Sequence, residues 1–367
     1  MPARFSVAIN PTNHPTPADE RARVLSAPLG FGQLFTDHML LIPYRTGEGW
    51  LQGTLKSYQP IEIDPASAVL HYGQSIFEGF KAFRQADGGI STFRPDANAR
   101  RFRNSARRLA MPEMPVEMFV DAADMLIEQD RDWVPFTRGT SLYMRPLLIA
   151  TECCLGVRPS SAYLFILIAS PTGDYFQGGA NPVSVWICED YVRAAPGGTG
   201  EAKFGGNYAA SLIAQAEATE RGCAQVVWLD AINRNHVEEM GGMNIFFVYQ
   251  EQGRTTLVTP KLTGSLLPGI TRESLLLIGP SLGFLVEERT ISLDEWMSAV
   301  KEGRMTEAFA CGTAAVITPI GSLCSQRGDL VIGDGKGGPV ARRLRDYLLT
   351  IQYGEAPDVF GWMHRVC

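Results

Sequence analysis

The chain has 367 residues, of which 45% are hydrophobic and 20% are charged, and its formal net charge at pH 7 is −6. This length favours two domains. The absence of long runs of like charge argues against nucleic acid or an anionic membrane surface as a partner. No stretch approaches the roughly 20 apolar residues that span a bilayer. Because residues 1–5 lack an apolar signal-peptide core, we expect a cytoplasmic protein.

The cysteines and histidines predict no metal site. The number of cysteines is odd, and no two have the two-residue spacing of zinc or redox motifs. The five histidines are scattered and form no zinc signature. We expect buried free thiols in a reducing compartment at Cys153, Cys154, Cys188, Cys223, Cys311, Cys324 and Cys367.

The first half of the chain predicts strands and two amphipathic helices. Residues 1–30 are rich in Pro, Asn and Thr and predict a loosely ordered arm. A helix is expected from its N-cap at Asp96 to about Ala110, and a second over residues 116–129. A shorter helical turn is expected near residues 74–77. Strands are predicted towards the end of residues 31–42, then at 54–63, 79–84, 90–94, 142–150 and 163–169, with a hairpin turn at 87–89.

The second half alternates more regularly. Helices are predicted over residues 207–221, with Leu212, Ile213 and Ala216 on the buried face, from residue 271 to about 278, and over 340–353. A glycine-rich loop is expected at 193–206. Strands are predicted at residues 183–188, 226–229, 245–249, 284–289, 307–310 and 314–319.

This mixed order predicts an α+β fold rather than a doubly wound sheet. No Gly-x-Gly-x-x-Gly motif stands between a strand and a helix, which lowers the case for a dinucleotide fold. Residues 170–179 are dense in Gly and Pro and predict a linker. We therefore expect a small N-terminal domain at residues 1–169, an interdomain loop at 170–179 and a larger domain at 180–367.

Lys203 is the candidate nucleophile. It precedes a Gly-Gly pair and has small or apolar neighbours in residues 201–208 (EAKFGGNY). Such neighbours partly desolvate the amine and favour its neutral form, which attacks aldehydes. Pyridoxal phosphate is the commonest aldehyde cofactor.

That cofactor requires three further groups, and the sequence offers a candidate for each. Glu239 could serve the ring nitrogen, although a surface glutamate beside Glu238 is the simpler interpretation. Tyr208 could bond the phenolate oxygen. Residues 268–271 (PGIT) at a predicted helix start, and residues 312–313 (GT), offer N–H groups and hydroxyls for phosphate. The predicted helix at Asp96 also carries arginines, none on its apolar stripe, and spacing does not choose among Arg100, Arg101, Arg103, Arg107 and Arg108.

Six segments together resemble the branched-chain amino acid aminotransferases. Their order and spacing match that family from about residue 30 to the last predicted helix. The segments are residues 31–39 (FGQLFTDHM), 77–84 (FEGFKAFR), 203–208 (KFGGNY), 239–246 (EMGGMNIF), 267–272 (LPGITR) and 311–315 (CGTAA).

The resemblance implies a fold type IV pyridoxal phosphate enzyme, with a small N-terminal α/β domain and a larger β-barrel-like domain surrounded by helices. It implies transamination of L-leucine, L-isoleucine and L-valine with 2-oxoglutarate, through a Schiff base on Lys203. By the same resemblance Glu239 serves the ring nitrogen, Tyr208 the phenolate oxygen and Arg101 the phosphate. The phosphate turns are supplied by Leu267, Gly269, Ile270, Thr271 and Thr313.

The resemblance also implies a homodimer and a substrate pocket. Phe31, Phe77, Tyr143 and Tyr208 would form its apolar wall. Tyr143, Arg145, Thr313 and Ala314 would face the substrate carboxylate. Tyr72, Leu155 and Val157 would come from the other subunit.

Two features depart from mammalian members of the family. Their Cys-x-x-Cys redox motif is replaced by Ala315 and Thr318, so we expect no thiol switch there. A pocket threonine is replaced by Gly242, which would enlarge the pocket floor and leaves the preference among substrates open.

Two related enzymes, a D-amino acid aminotransferase and an aminodeoxychorismate lyase, are alternatives, as is a non-catalytic carrier of the cofactor.

Overall fold

The computed structural model describes residues 5–173, 175–176 and 181–367. Helices and strands are interspersed throughout, as the α+β prediction expects. The helices are α1 (Ala18–Ser26), α2 (Ala68–Tyr72), α3 (Pro95–Arg108), α4 (Val116–Gln129), α5 (Gly205–Ala209), α6 (Leu212–Glu220), α7 (Ile270–Ser281), α8 (Leu293–Lys301) and α9 (Pro339–Gln352). The strands are β1 (Val7–Asn10), β2 (His38–Arg45), β3 (Gly49–Trp50), β4 (Gly53–Ser57), β5 (Ser75–Phe77), β6 (Phe80–Arg84), β7 (Ile90–Phe93), β8 (Ser141–Ala150), β9 (Ala162–Thr172), β10 (Val183–Cys188), β11 (Gln225–Leu229), β12 (Val237–Met240), β13 (Met243–Glu251), β14 (Arg254–Thr259), β15 (Leu285–Glu288), β16 (Met305–Gly312), β17 (Val316–Cys324), β18 (Leu330–Val331) and β19 (Met363–Arg365).

The chain forms two compact units. The first comprises Met1–Tyr175, Ala202–Gly205 and Thr350–Cys367, and the second comprises Phe176–Glu201 and Gly206–Leu349. The units differ from the predicted segments because two later segments lie in the first unit. The last of these is held there by β19, which pairs antiparallel with β7.

The first unit is built on one sheet with the strand order β1-β4-β2-β9-β8-β6-β7-β19. Its long central pair, β8 and β9, is antiparallel over ten residue pairs. Helices α3 and α4 pack on this sheet through three buried rings, Phe102, Phe119 and Phe165, whose centroids lie 5.4 to 6.3 Å apart. Burial of large aromatic side chains in edge-on or tilted pairs stabilises such a helix–sheet interface.

The second unit contains a closed ring of strand pairings, β10-β11-β12-β13-β16-β17, in which β17 pairs back onto β10. β10 runs parallel to both of its neighbours, and the other pairs in the ring are antiparallel. Closure leaves these strands with few unpaired edges, which is how a barrel satisfies its backbone. Helix α8 covers one side and places Trp296 edge-on to Phe247, 4.9 Å between centroids.

Several predicted elements match the structure closely. The helix predicted over 116–129 is α4, and the strand predicted over 183–188 is β10. The hairpin predicted near residues 79–94 is the β6–β7 pair, with Ala82 opposite Thr92.

Other elements were predicted wrongly in the first half of the chain. Residues 75–77 form strand β5 rather than a helical turn, because they pair with β8. The arm expected over residues 1–30 contains β1 and α1 from Val7 onwards. Helix α3 begins with a proline at its first turn, and its N-cap is Arg94 rather than Asp96.

In the second half, the helix expected over residues 207–221 is divided into α5 and α6. The buried residues of α6 are Ala214 and Ala218, whereas Leu212, Ile213 and Ala216, which were expected on the buried face, are exposed. Within the linker expected at 170–179, strand β9 continues to Thr172, and residues 174 and 177–179 lie outside the described part of the chain. None of the helices in the described ranges is long and apolar enough to cross a bilayer.

Candidate active site

Lys203 lies in the first unit, and its backbone is held by two elements of that unit. Its N–H donates to the Ser105 hydroxyl on α3 (2.9 Å), and its carbonyl accepts from the Phe77 N–H (3.0 Å). The Nζ atom lies 5.1 Å from the centroid of the Phe77 ring, and the side chain is half-buried. The amine is therefore directed by fixed backbone rather than carried on a solvated loop.

Arg101 differs from its four neighbouring arginines because it is buried. Its Nε and one terminal NH2 donate to both carboxylate oxygens of Glu78, at 2.7 and 2.9 Å. Glu78 is fully buried and also accepts from the Gly79 N–H (3.0 Å). Helical spacing gave no reason to bury an arginine here; the neutralising carboxylate on the β5–β6 connection supplies it.

The structure brings together four of the candidate substrate residues of the first unit, namely Phe31, Phe77, Tyr143 and Arg145. The rings of Phe31 and Tyr143 meet edge-on at 4.8 Å between centroids. Arg145 donates to the Tyr143 hydroxyl (3.2 Å), and its guanidinium lies 5.0 Å from the Phe77 ring centroid. Gly79 is required beside this group, because a Cβ there would lie 2.5 Å from Cζ of Tyr143 and closer still to its hydroxyl. Aromatic walls with one guanidinium can receive an apolar side chain and a carboxylate together.

Three candidate interface residues are exposed on the first unit. Leu155 and Val157 have exposed fractions of 65% and 85%, and Tyr72 has 40%. The Tyr72 hydroxyl donates to the Leu155 carbonyl, so these two residues are adjacent.

Glu239 lies on β12 in the second unit and is 1% exposed, so the simpler interpretation of a surface glutamate is wrong. Its Oε1 accepts from the Leu267 N–H (2.9 Å) and the Asn244 amide (3.1 Å). Its Oε2 lies 2.7 Å from Nε of Arg193. A buried carboxylate with a guanidinium partner and two N–H donors is stabilised in its ionised form.

The adjacent Glu238 is also buried but has a different environment. Burial raises the pKa of Glu238, while the Ser265 hydroxyl, which donates to it, and the charge of Arg193 partly offset this rise. Two consecutive carboxylates thus share one buried guanidinium, and Glu239 is the one in direct contact with it. Environments of this kind separate the protonation states of neighbouring acids.

The turn at residues 267–271 leads directly into α7. The first backbone bond of this helix runs from the Glu273 N–H to the Gly269 carbonyl (2.9 Å), so no carbonyl of α7 accepts from the N–H groups of Ile270 and Thr271. Gly269 packs against the Asn244 side chain, whose Cγ would lie 3.1 Å from a Cβ at this position. A 12-residue helix that begins with such N–H groups and a threonine hydroxyl can bind a phosphate.

The remaining candidates of the second unit lie on two short turns and on α5. Thr313 and Ala314 form the half-buried turn between β16 and β17. Tyr208 lies on α5, and a Cβ added to Gly242 would lie 3.1 Å from Cε1 of its ring. The expectation of a roomier pocket floor at Gly242 stays a prediction, and the Tyr208 ring is the group that lies beside this glycine.

The cysteines are free as expected, but only Cys188, Cys223 and Cys311 are buried; Cys153 is exposed, and Cys154, Cys324 and Cys367 are half-buried. Burial raises the pKa of the Cys311 thiol. Within the described residues no cluster of histidine, cysteine and acidic side chains could hold a metal ion.

Sequence reasoning missed four polar residues that support these candidates: Glu78, Ser105, Arg193 and Asn244. Each is buried, and a polar side chain is rarely buried unless it has a hydrogen-bond or ion-pair partner, as these four do. Glu78 in the middle of the apolar segment 76–83 was the one visible signal. Ser105 and Arg193 bond partners on distant parts of the chain. Asn244 bonds the nearby Glu239 as well as the distant Leu267.

Comparison with known proteins places the chain in a family. The model of the amino-transferase class IV family matches residues 75–323. A branched-chain-amino-acid aminotransferase from Mycolicibacterium smegmatis is 57% identical over 366 residues, which cover 100% of this chain and 99% of that protein.

Solved structures give the same result. The Escherichia coli branched-chain amino acid aminotransferase superimposes with a TM-score of 0.73 at 29% identity, covering 89% of this chain and 99% of that chain. The branched-chain amino acid aminotransferase of T.th., complexed with N-(5'-phosphopyridoxyl)-L-glutamate, gives a TM-score of 0.68 at 28% identity, covering 89% and 98%. The fold type IV prediction is confirmed, and the chain belongs to the class IV aminotransferase family, among its branched-chain-amino-acid aminotransferases.

Proposed function

We propose that this enzyme transfers the amino group of L-leucine, L-isoleucine or L-valine to 2-oxoglutarate, with pyridoxal 5'-phosphate bound covalently at Lys203. Family membership supports branched-chain amino acid transamination, and the phosphopyridoxyl-glutamate complex of the T.th. enzyme supports glutamate as the second amino acid. The observation that carries the cofactor assignment is Glu239, a buried carboxylate paired with Arg193.

The residues present fit the cofactor. Glu239 would accept from its ring nitrogen, and Tyr208 would donate to its phenolate oxygen. Arg101, the N–H groups of Ile270 and Thr271, the segment of Leu267 and Gly269, and the hydroxyls of Thr271 and Thr313 would hold its phosphate. When bound, pyridoxal phosphate supplies an electron sink for the carbanion formed at the substrate α-carbon.

Lys203 is the acid and base of the reaction. Its amine would remove the α-proton of the substrate and would return a proton when the amino group is transferred. The hydrogen bonds on its N–H and carbonyl hold the amine at the end of β5 through this exchange. Arg145, with Tyr143, Thr313 and Ala314, would orient the substrate carboxylate.

The pocket wall and the assembly complete the proposal. Phe31, Phe77, Tyr143 and Tyr208 would enclose the branched side chain, with Gly242 beneath Tyr208. The enzyme would act in the cytoplasm as a homodimer, with Tyr72, Leu155 and Val157 of the partner subunit closing the pocket. Their exposure as apolar residues supports an interface at this face.

A spectral titration tests the function. Purified enzyme loaded with pyridoxal phosphate is titrated with L-leucine, L-isoleucine, L-valine, L-glutamate, D-alanine and aminodeoxychorismate. We expect the visible band of the lysine-bound cofactor to disappear with the four L-amino acids and to persist with the other two. A response to D-alanine or aminodeoxychorismate alone would support one of the related enzymes, and no response at all would support a carrier.

The role of Lys203 is tested by Lys203→Ala, with Lys56→Ala as the matched control, since Lys56 is also a half-buried lysine of the first unit. We expect Lys203→Ala to lose the visible band and turnover, and Lys56→Ala to keep both. Full turnover in Lys203→Ala would contradict the assignment.

A further inference from the structure

Arg193 connects three segments of the second unit. It is 8% exposed and lies in the loop after β10. Its Nε lies 2.7 Å from Oε2 of Glu239, and one NH2 donates to the carbonyls of Gly200 (3.0 Å) and Ser265. The guanidinium is therefore held at one terminal nitrogen by two backbone carbonyls and at Nε by the carboxylate.

Each of these segments leads to a residue proposed for the cofactor. Gly200 precedes Lys203 by three residues, and Ser265 precedes Leu267 by two. The segments also touch each other, since a Cβ on Gly200 would lie 2.6 Å from the carbonyl carbon of Ser265. Close backbone packing of this kind leaves Arg193 little freedom to move, and a shorter side chain could not reach all three acceptors.

The charge of Arg193 is as important as its position. Glu239 is 1% exposed, and the guanidinium of Arg193 is in direct contact with its Oε2. A carboxylate removed from water stays ionised when a positive charge lies beside it. A neutral Glu239 could still accept a hydrogen bond from a protonated ring nitrogen, but it would have no negative charge to stabilise that nitrogen's charge.

We propose that Arg193 is a positioning residue that keeps Glu239 ionised and aligned for the ring nitrogen of the cofactor. This inference rests on the proposed function of Glu239. Arg193 acts on the cofactor only through Glu239, and its removal therefore changes what Glu239 does at the ring nitrogen.

The test compares two ligands that differ only at that atom. Apoenzyme is titrated with pyridoxal phosphate and with its 1-deaza analogue, in which carbon replaces the ring nitrogen, and binding is followed by tryptophan fluorescence. The variants are Arg193→Gln, Arg193→Lys, Glu239→Gln and the double variant Arg193→Gln/Glu239→Gln. Arg289→Gln is the matched control, because Arg289 is also paired with a glutamate, Glu295 (2.7 Å), that is not among the proposed site residues.

We expect Arg193→Gln to weaken binding of pyridoxal phosphate at least tenfold and to change binding of the deaza analogue less than threefold. Arg193→Lys should recover part of the difference, and Arg289→Gln should change neither affinity. The double variant should bind within twofold of Glu239→Gln, since residues that act through one contact are not additive.

Equal losses for both ligands, or multiplied losses in the double variant, would overturn the inference and assign Arg193 a general structural role. If Arg193→Gln does not fold, the comparison of Arg193→Lys with wild type decides, because selective loss for pyridoxal phosphate is still expected. Failure of the underlying function is distinguishable: Glu239→Gln would then bind both ligands as tightly as wild type.

Discussion

Substitution of Gly79 by alanine tests whether the position of Tyr143 controls substrate binding. The new Cβ would lie 2.5 Å from Cζ of Tyr143, whereas ordinary contacts begin near 3.4 Å, so the ring must move by at least about 0.9 Å, and its hydroxyl, which is nearer still, must move further. That movement separates the Tyr143 hydroxyl from Arg145, now 3.2 Å away. Misplacement by about 1 Å costs on the order of 100-fold in rate, and loss of a hydrogen bond to a charged group costs about 1.5–3 kcal/mol.

The assay is steady-state transamination of L-leucine with 2-oxoglutarate, together with the affinity for pyridoxal phosphate. We expect Gly79→Ala to lower kcat/KM for L-leucine by about 10- to 100-fold, with cofactor affinity little changed. Tyr143→Phe in the Gly79→Ala background should recover part of the loss, because it removes the oxygen nearest the new Cβ. A folded Gly79→Ala enzyme with wild-type kcat/KM would refute the reasoning.

Three other substitutions follow from the described contacts. Glu78→Gln leaves the buried Arg101 without its anion, so the free energy of unfolding in urea should fall by about 3–5 kcal/mol, and an unchanged value would contradict the pairing. Gly242→Ala pushes the Tyr208 ring by a few tenths of an ångström, so kcat/KM should fall by about tenfold or less; a rise would mean that the side chain fills an empty floor. Burial raises the pKa of Glu238 above its usual 4.5, so its contribution to stability is complete below that pH and is lost as the pH rises through the higher value. The free energy of unfolding of Glu238→Gln should therefore fall less between pH 4.5 and 7 than that of the wild type. Identical pH profiles for variant and wild type would contradict this.

Much of the fold could be predicted because local apolar periodicity matches the tertiary environment. In helix α4 and strand β10, the apolar side chains from which the element was predicted are largely buried. Residues 75–77 were predicted wrongly because pairing with β8 determines their conformation, and that partner is distant in sequence. The α5–α6 segment failed for a different reason: the face bearing Leu212 and Ile213 is exposed in the chain, and small alanines are buried instead.

The site shows the same division between local and distant information. Motifs gave a lysine, a tyrosine and a glycine-rich helix start, because each lies within a few residues of its neighbours. The burial of Arg101 depends on Glu78, and that of Glu239 depends on Arg193. Neither ion pair has a sequence spacing from which it could be inferred.

The antiparallel pairing of β19 with β7 has a consequence for synthesis of the chain. Met363 lies opposite Phe93, so this edge of the first unit's sheet is completed only after the second unit has been translated. During translation, β7 presents unpaired N–H and carbonyl groups for nearly the whole time that the second unit is made. Such an edge is a template for aggregation. A chain truncated just before Met363 loses only the contacts of β19 and keeps all the barrel strands. It should nevertheless aggregate more readily than the full chain, because the edge of β7 stays unpaired.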